Sequence, residues 1–134
     1  MSLSVISFTE NGLALSGKVR ETFTAEEVNL FTKCSFARES AEAVYVEEST
    51  GQWAGKQMEE GNALLFIGAC GIAVRAVAPW IKDKLHDSPV LVMDEMGHFV
   101  IPVLSGHMGG ANELAERISK VMGAVPVITT ATDL

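Results

Sequence analysis

Apolar and polar positions follow two periods along this chain. Ala63-Leu64-Leu65-Phe66-Ile67 is an unbroken apolar run, the pattern of a central parallel strand covered on both faces. Pro89–Met93 repeats it. His98–Leu104 returns after the turn Asp94-Glu95-Met96-Gly97, which predicts a β-hairpin. Pro102 cannot donate to a ladder, so it belongs at a bulge or an unpaired edge. From Ala111 the period changes: Ala111, Leu114, Ala115, Ile118, Val121 and Met122 recur on one face of a helix, with Gly123 as its stop. Val125–Ile128 reads as a last strand.

The first half of the chain is patterned over shorter stretches. Ser4–Phe8 reads as a strand, Thr9-Glu10-Asn11-Gly12 as a turn and Leu13–Phe23 as a helix. Thr24–Asn29 is polar and acidic. Leu30–Phe36 reads as a strand that Lys33 assigns to an edge, and Ala43–Glu47 as a further strand. A helix capped by Thr50 covers Gly51–Glu60 and ends at Gly61-Asn62. After 63–67 a helix runs over Ile72–Ala78, with Ala73, Ala76, Val77, Trp80 and Ile81 inward and a kink or new turn at Pro79. Strands alternating with helices predict a three-layer α/β/α sandwich, Rossmann-like, with a mainly parallel sheet and one hairpin. The whole of 1–134 reads as a single α/β domain.

Composition narrows the partners. A hydrophobic content of 48% with 20% charged residues belongs to a globular chain with a real core. The formal net charge of −7 argues against nucleic acid and against anionic membranes, and it requires any anionic ligand to be held by local donors. No basic segment precedes an apolar one, and no run reaches membrane-spanning length, so neither a secretory leader nor a membrane contact is expected. Cys34 and Cys70 form no disulfide or metal framework, which points to a reducing cytoplasm. The spacing of His86, His98 and His107 matches no metal motif, and no metal site is expected.

The candidate chemistry concentrates where Leu104 gives way to Ser105-Gly106-His107-Met108-Gly109-Gly110 and then to a helix. Free N–H groups and the positive end of the helix dipole favour an anion there. Ser105, His107, Asn112 and Glu113 add a hydroxyl, an imidazole, an amide and a carboxylate. The alternative is a turn in which the glycines serve the backbone and the serine is a cap. Gly68-Ala69-Cys70-Gly71 is built similarly. Arg75 behind it offers a forked pair of donors to a carboxylate, or else an ion pair inside the domain. Cys70 is either a thiol at a helix N-terminus or a small filler. Asp94 and Glu95 are either an acid–base pair or turn formers. Thr129, Thr130, Thr132 and Asp133 bind a polar ligand or satisfy the backbone at a strand end. Trp53 and Trp80 read as core or interface residues rather than stacking platforms. If the loops at 68–71, 105–110 and 129–133 all follow parallel strands, they converge on one rim at the topological switch point.

Four blocks together resemble a known family. Phe66–Pro79 (FIGACGIAVRAVAP), Val92–Ile101 (VMDEMGHFVI), Leu104–Leu114 (LSGHMGGANEL) and Val127–Asp133 (VITTATD) resemble signatures of the cobalt-precorrin-5A hydrolases, CbiG type, of anaerobic cobalamin (vitamin B12) biosynthesis. The match is dense over about 63–133 and loose before it. The resemblance implies a hydrolase that opens the ring A δ-lactone of cobalt-precorrin-5A and releases acetaldehyde to give cobalt-precorrin-5B. It also implies that this chain is the N-terminal domain of a longer enzyme, with the C-terminal domain as a partner, an anionic cobalt-tetrapyrrole as substrate, and no cofactor because the substrate carries the cobalt. For that chemistry His107 is the candidate base, oriented by Glu113 or Asp94. The N–H groups of Gly109, Gly110 and Ala111 are candidate oxyanion or carboxylate donors. Gly68, Gly71, Arg75, Ser105, Asn112, Thr129, Thr130 and Asp133 are candidate substrate-binding residues. The other readings are a non-catalytic Rossmann-like module for an anion or nucleotide, and a docking domain of a larger protein.

Overall fold

The computed structural model describes residues 2–39, 42–106 and 109–131. Seven strands form one sheet in the order β3-β2-β1-β4-β5-β6-β7: β1 (Ser2–Ser7), β2 (Glu27–Thr32), β3 (Val44–Tyr45), β4 (Ala63–Ile67), β5 (Val90–Met93), β6 (Phe99–Leu104) and β7 (Val125–Pro126). The helices are α1 (Glu10–Thr22), α2 (Thr50–Glu59), α3 (Cys70–Val77) and α4 (Ala111–Met122), with single 3₁₀ turns at Ser35–Ala37 and Ala78–Trp80. Strands β1 to β5 run parallel. β6 returns antiparallel to β5, and β7 runs parallel to β6.

The period-two alternation of the central strands sorts their side chains onto two faces. Leu3, Val5, Leu65, Ile67, Leu91 and Met93 pack under α1 and α4, against Val19, Leu114 and Ile118. Ile6, Leu64, Phe66, Val90 and Val92 pack under α2 and α3, against Trp53, Ala73 and Val77. The three-layer α/β/α sandwich and the mainly parallel sheet therefore stand. β4 has every residue buried, as its unbroken apolar run requires.

Several boundaries differ from the sequence expectation, each for a local reason. Helix α1 starts at Glu10 because the Thr9 side chain accepts the Gly12 N–H at 3.0 Å and caps it. Ser49, not Thr50, caps α2 through the Gln52 N–H at 3.1 Å. β2 begins at Glu27, inside the stretch read as polar, because its register with β1 pairs Ser2 with Glu27. That strand is internal, and the edge belongs to β3. Trp80 and Ile81 are 41% and 47% exposed rather than inward. Pro79 ends α3 and turns the next residues out of its buried stripe. Beside Pro102 the β5–β6 register slips, Val90 facing Leu104 and Leu91 facing Pro102, which is the bulge its missing N–H demands.

Candidate functional site

The reversal at the hairpin decides where the loops go. Leu104, the last residue of β6, pairs with Val90, the first of β5, which pairs with Leu64 near the start of β4. The 105–110 loop thus leaves the sheet at the amino edge of β4 and β5, and so does the segment after β7. The 68–71 loop leaves at the carboxyl edge. Five residues of β4 separate the two, roughly 17 Å at the usual strand rise. The expected convergence of 68–71, 105–110 and 129–133 on one rim is therefore overturned: two of the loops share the amino edge, and 68–71 faces away from them.

At the amino edge the loop is built tightly. Ser105 adopts φ 60°, an unusual left-handed conformation for a residue with a Cβ, and its hydroxyl donates to the Asp87 carbonyl at 2.9 Å. The Ser105 carbonyl accepts the Ala111 N–H at 3.0 Å and the Gly106 carbonyl accepts the Asn112 N–H at 2.9 Å. Those two helix N–H groups already have acceptors, which removes Ala111 from the free donors expected at this helix start. A Cβ on Gly109 would collide with the Ser105 side chain and lie 2.9 Å from its carbonyl oxygen. Asn112, buried, donates through Nδ2 to Thr130 Oγ1 at 2.8 Å and so ties α4 to the last segment. Glu113 and Thr129 are exposed beside them. His107, Thr132 and Asp133 lie outside the described residues.

The carboxyl edge gathers Gly68, Gly71, Arg75 and Asp94. Gly68 sits under the Phe8 ring, with space for a Cβ only at 3.4 Å from it. The Arg75 guanidinium folds back over Gly71, where a Cβ would lie 3.2 Å from Nη1. Arg75 is exposed and has no ion pair among the described residues. Asp94 is engaged in its own turn: its carboxylate accepts the Phe99 N–H at 2.6 Å and the Met96 N–H at 3.2 Å. It stands at the opposite edge from the 105–110 loop, so Asp94 is not the group that orients a side chain of that loop. The turn is pinned to α1 by Asn11 Nδ2 donating to the Glu95 carbonyl at 2.6 Å. Cys34 is buried and Cys70 exposed, both as free thiols.

The sequence reading passed over a cleft of about 920 Å³ between α2 and the 79–88 segment. It abuts the Ser105 loop through Asp87. Its signal was the Pro79 break followed by the charged stretch 82–88, which the helix pattern hid. A smaller cleft of about 470 Å³ lies at the carboxyl edge around Thr9, Asn11 and Lys33. Among the described residues no group of three or more His, Cys, Asp or Glu side chains is placed to hold a metal ion, and no helix is long and apolar enough to cross a membrane.

Comparison with known proteins bears on both edges. Two relatives are cobalt-precorrin-5A hydrolases. The Salmonella typhimurium protein is 58% identical over 73 residues, covering 54% of this chain and 21% of its own length. The Priestia megaterium protein is 34% identical over 132 residues, covering 98% of this chain and 35% of its own. This chain thus spans between about a fifth and a third of those proteins. A solved structure, described as a cobalamin biosynthesis protein G homolog from Sulfolobus solfataricus, superposes with a TM-score of 0.71 at 23% identity, over 96% of this chain and 36% of that one; it shares the fold. The family model for the N-terminal region of cobalamin synthesis protein G matches residues 52–133, taking in α2, both edges of the sheet and the Ser105 loop, and the chain belongs to that family.

Proposed function

We propose that this chain is the N-terminal domain of a cobalt-precorrin-5A hydrolase, and that it helps to open the ring A δ-lactone of a cobalt-tetrapyrrole with release of acetaldehyde. The observation that carries the reading is the family match over 52–133, supported by the alignment of 98% of this chain with 35% of a relative of that name. The substrate brings the cobalt, the remaining part of the longer enzyme is the partner, and the reaction belongs to the cytoplasm.

Lactone opening is acyl chemistry. A base takes a proton from water, the water oxygen adds to the lactone carbonyl, and the ring oxygen leaves as an alkoxide that regains a proton. His107 is the proposed base, since an imidazole titrates near working pH. Glu113, in the first turn of α4, is its proposed orienting carboxylate. The Gly109 and Gly110 N–H groups are the proposed oxyanion donors, with Ser105 and Asn112 holding the loop that presents them.

The test is acetaldehyde release from cobalt-precorrin-5A by this chain, alone and with the remaining two thirds of the Priestia megaterium relative. Release by the combination supports the reading, and none under conditions where the intact relative is active overturns it. His107→Gln in the active combination is expected to lower kcat by roughly a hundredfold or more with little change in thermal stability. Near-normal turnover removes His107 from the chemistry.

A further inference from the structure

Strand β6 is apolar at every position, Phe99-Val100-Ile101-Pro102-Val103-Leu104, and so is Ala124-Val125-Pro126-Val127-Ile128 around β7. A strand with one solvated face alternates apolar and polar residues, whereas an unbroken apolar run belongs to a strand covered on both faces. One cover is present. Val100 packs under α4 with Ala111, Leu114, Ala115 and Ile118, joined there by Ala124 and Ile128. Side chains alternate along a strand, so Phe99 and Ile101 point to the opposite face, and Val125, in register with Phe99, points with them. Val127, whose N–H carries the ladder on to the Val100 carbonyl at 2.9 Å, is the fourth of the set.

Helices α2 and α3 close that opposite face only in part. Their core takes in Leu64, Phe66, Val90 and Val92, and it reaches β6 no further than Val103 and Leu104. Phe99, Ile101, Val125 and Val127 belong to neither core. Phe99 is 45% exposed and Val125 55%, and Ile101 and Val127 are half-buried. Among the described residues the third layer of the sandwich thus stops short of the last two strands. It leaves four neighbouring side chains that carry no polar group, and an exposed apolar patch marks a contact site.

The edge beside this face is closed to a further strand. β7 is the last strand of the sheet, and the Val125 and Val127 N–H groups both go to β6 carbonyls or the residue before them, His98 and Val100. Pro126 between them therefore faces the free edge, where it has no N–H to offer. An occupant must cover the face. The Priestia megaterium relative has 35% of its length matched by this chain, and the family model that matches is that of an N-terminal region. The rest of such a protein continues from the segment after β7, the strand that carries half of the uncovered face. We infer that the Phe99–Val125 face seats an amphipathic helix from the following part of the longer hydrolase, the counterpart of α4 on the other side of the sheet; the inference rests on the reading above. Such a helix lays apolar residues at i, i+3, i+4 and i+7 on the four side chains and keeps its polar face in water.

The test is hydroxyl-radical footprinting of the 134-residue chain and of a hybrid in which it replaces the matching 35% of the Priestia megaterium relative. Phe99 and Val125 are expected to be labelled in the chain alone and roughly fivefold or more weakly in the hybrid. Phe36 and Leu85, 85% and 63% exposed, are the references whose labelling stays. Val125→Lys is expected to move the thermal midpoint of the chain alone by about 3 °C or less, because the side chain packs in neither core. In the hybrid the same substitution is expected to restore labelling at Phe99. If the hybrid does not fold, footprinting of the intact relative, with and without a lysine at the position aligned with Val125, decides by the same criteria. Undiminished labelling in the hybrid, protection that survives Val125→Lys, or protection of Phe99 and Val125 in the chain alone through a dimer overturns the seat. Acetaldehyde release by a hybrid in which both residues stay labelled overturns the seat and leaves the hydrolase reading standing. Protection in a hybrid that releases none supports the seat and counts against that reading.

Discussion

Gly17 and Gly109 give the same substitution opposite signs. Gly17 lies within α1 with open space where a Cβ would go, so Gly17→Ala removes backbone freedom from the unfolded chain and adds no clash. It is expected to stabilise the fold by about 0.5–1 kcal/mol in urea denaturation. Gly109 has the Ser105 side chain and carbonyl where its Cβ would stand, and Gly109→Ala is expected to destabilise by about 1–3 kcal/mol. A stabilising Gly109→Ala would mean that the loop is looser than its packing indicates. A charged pair at the cleft adds a pH signature. A backbone hydrogen bond to its carboxylate and then the Lys56 ammonium, 3.1 Å away, hold the Glu48 pKa below its ordinary 4.5. A depressed carboxylate stabilises the fold above its unfolded pKa and stops doing so as pH falls through the folded value. The Glu48 side-chain NMR titration is therefore expected to have a midpoint under 4.5, and Lys56→Gln to move it upward. An unmoved midpoint in Lys56→Gln would remove Lys56 as a cause.

At the scale of elements, legibility follows burial. The runs 63–67, 90–93 and 99–104 and the α4 stripe announced themselves because each must bury both faces or one continuous side. The start of β2 at Glu27 did not, since its register is dictated by pairing with β1 rather than by its own residues. Trp80 read as core because the α3 periodicity continues through Pro79 on paper, whereas the ring actually turns out onto Gly55. The site was partly legible. The Ser105–Asn112 block was recognisable, but the hairpin that the pattern predicts also reverses β6, and a reversed strand ends at the other edge. That reversal separates Arg75 from the Ser105 loop by the length of β4. Arg75→Lys, which keeps charge and loses the fork, is therefore expected to leave the KM for cobalt-precorrin-5A within about twofold in the active enzyme. A tenfold rise would show that the substrate reaches the carboxyl edge, and would return Arg75 to the binding residues.

For the whole molecule, the excess of 17 acidic over 10 basic residues sets a repulsive field against the polycarboxylate it is proposed to bind. Range decides how that field acts. At 0.01 M salt the screening length is about 30 Å, longer than the domain's radius of gyration of roughly 14 Å, so an approaching polyanion feels the full net charge. At 0.15 M the length is about 8 Å, and only the nearest groups count; at the cleft between α2 and the 79–88 segment these are Lys56 and Lys82 together with Glu59 and Asp87. Encounter is governed by the long-range field, while the bound state is governed by contacts. Association with this chain of dicyanocobyrinic acid, a cobalt corrinoid with free carboxylates, followed by stopped-flow, is therefore expected to speed up about two- to tenfold between 10 and 150 mM NaCl. Dissociation is expected to quicken as well, because screening also weakens lysine–carboxylate contacts. Electrostatic steering by a basic surface has the opposite signature, a rate that falls with salt. An association rate that falls over this range would show that the local lysines outweigh the net charge at a distance, and that the acidic surface lies away from the path of the ligand.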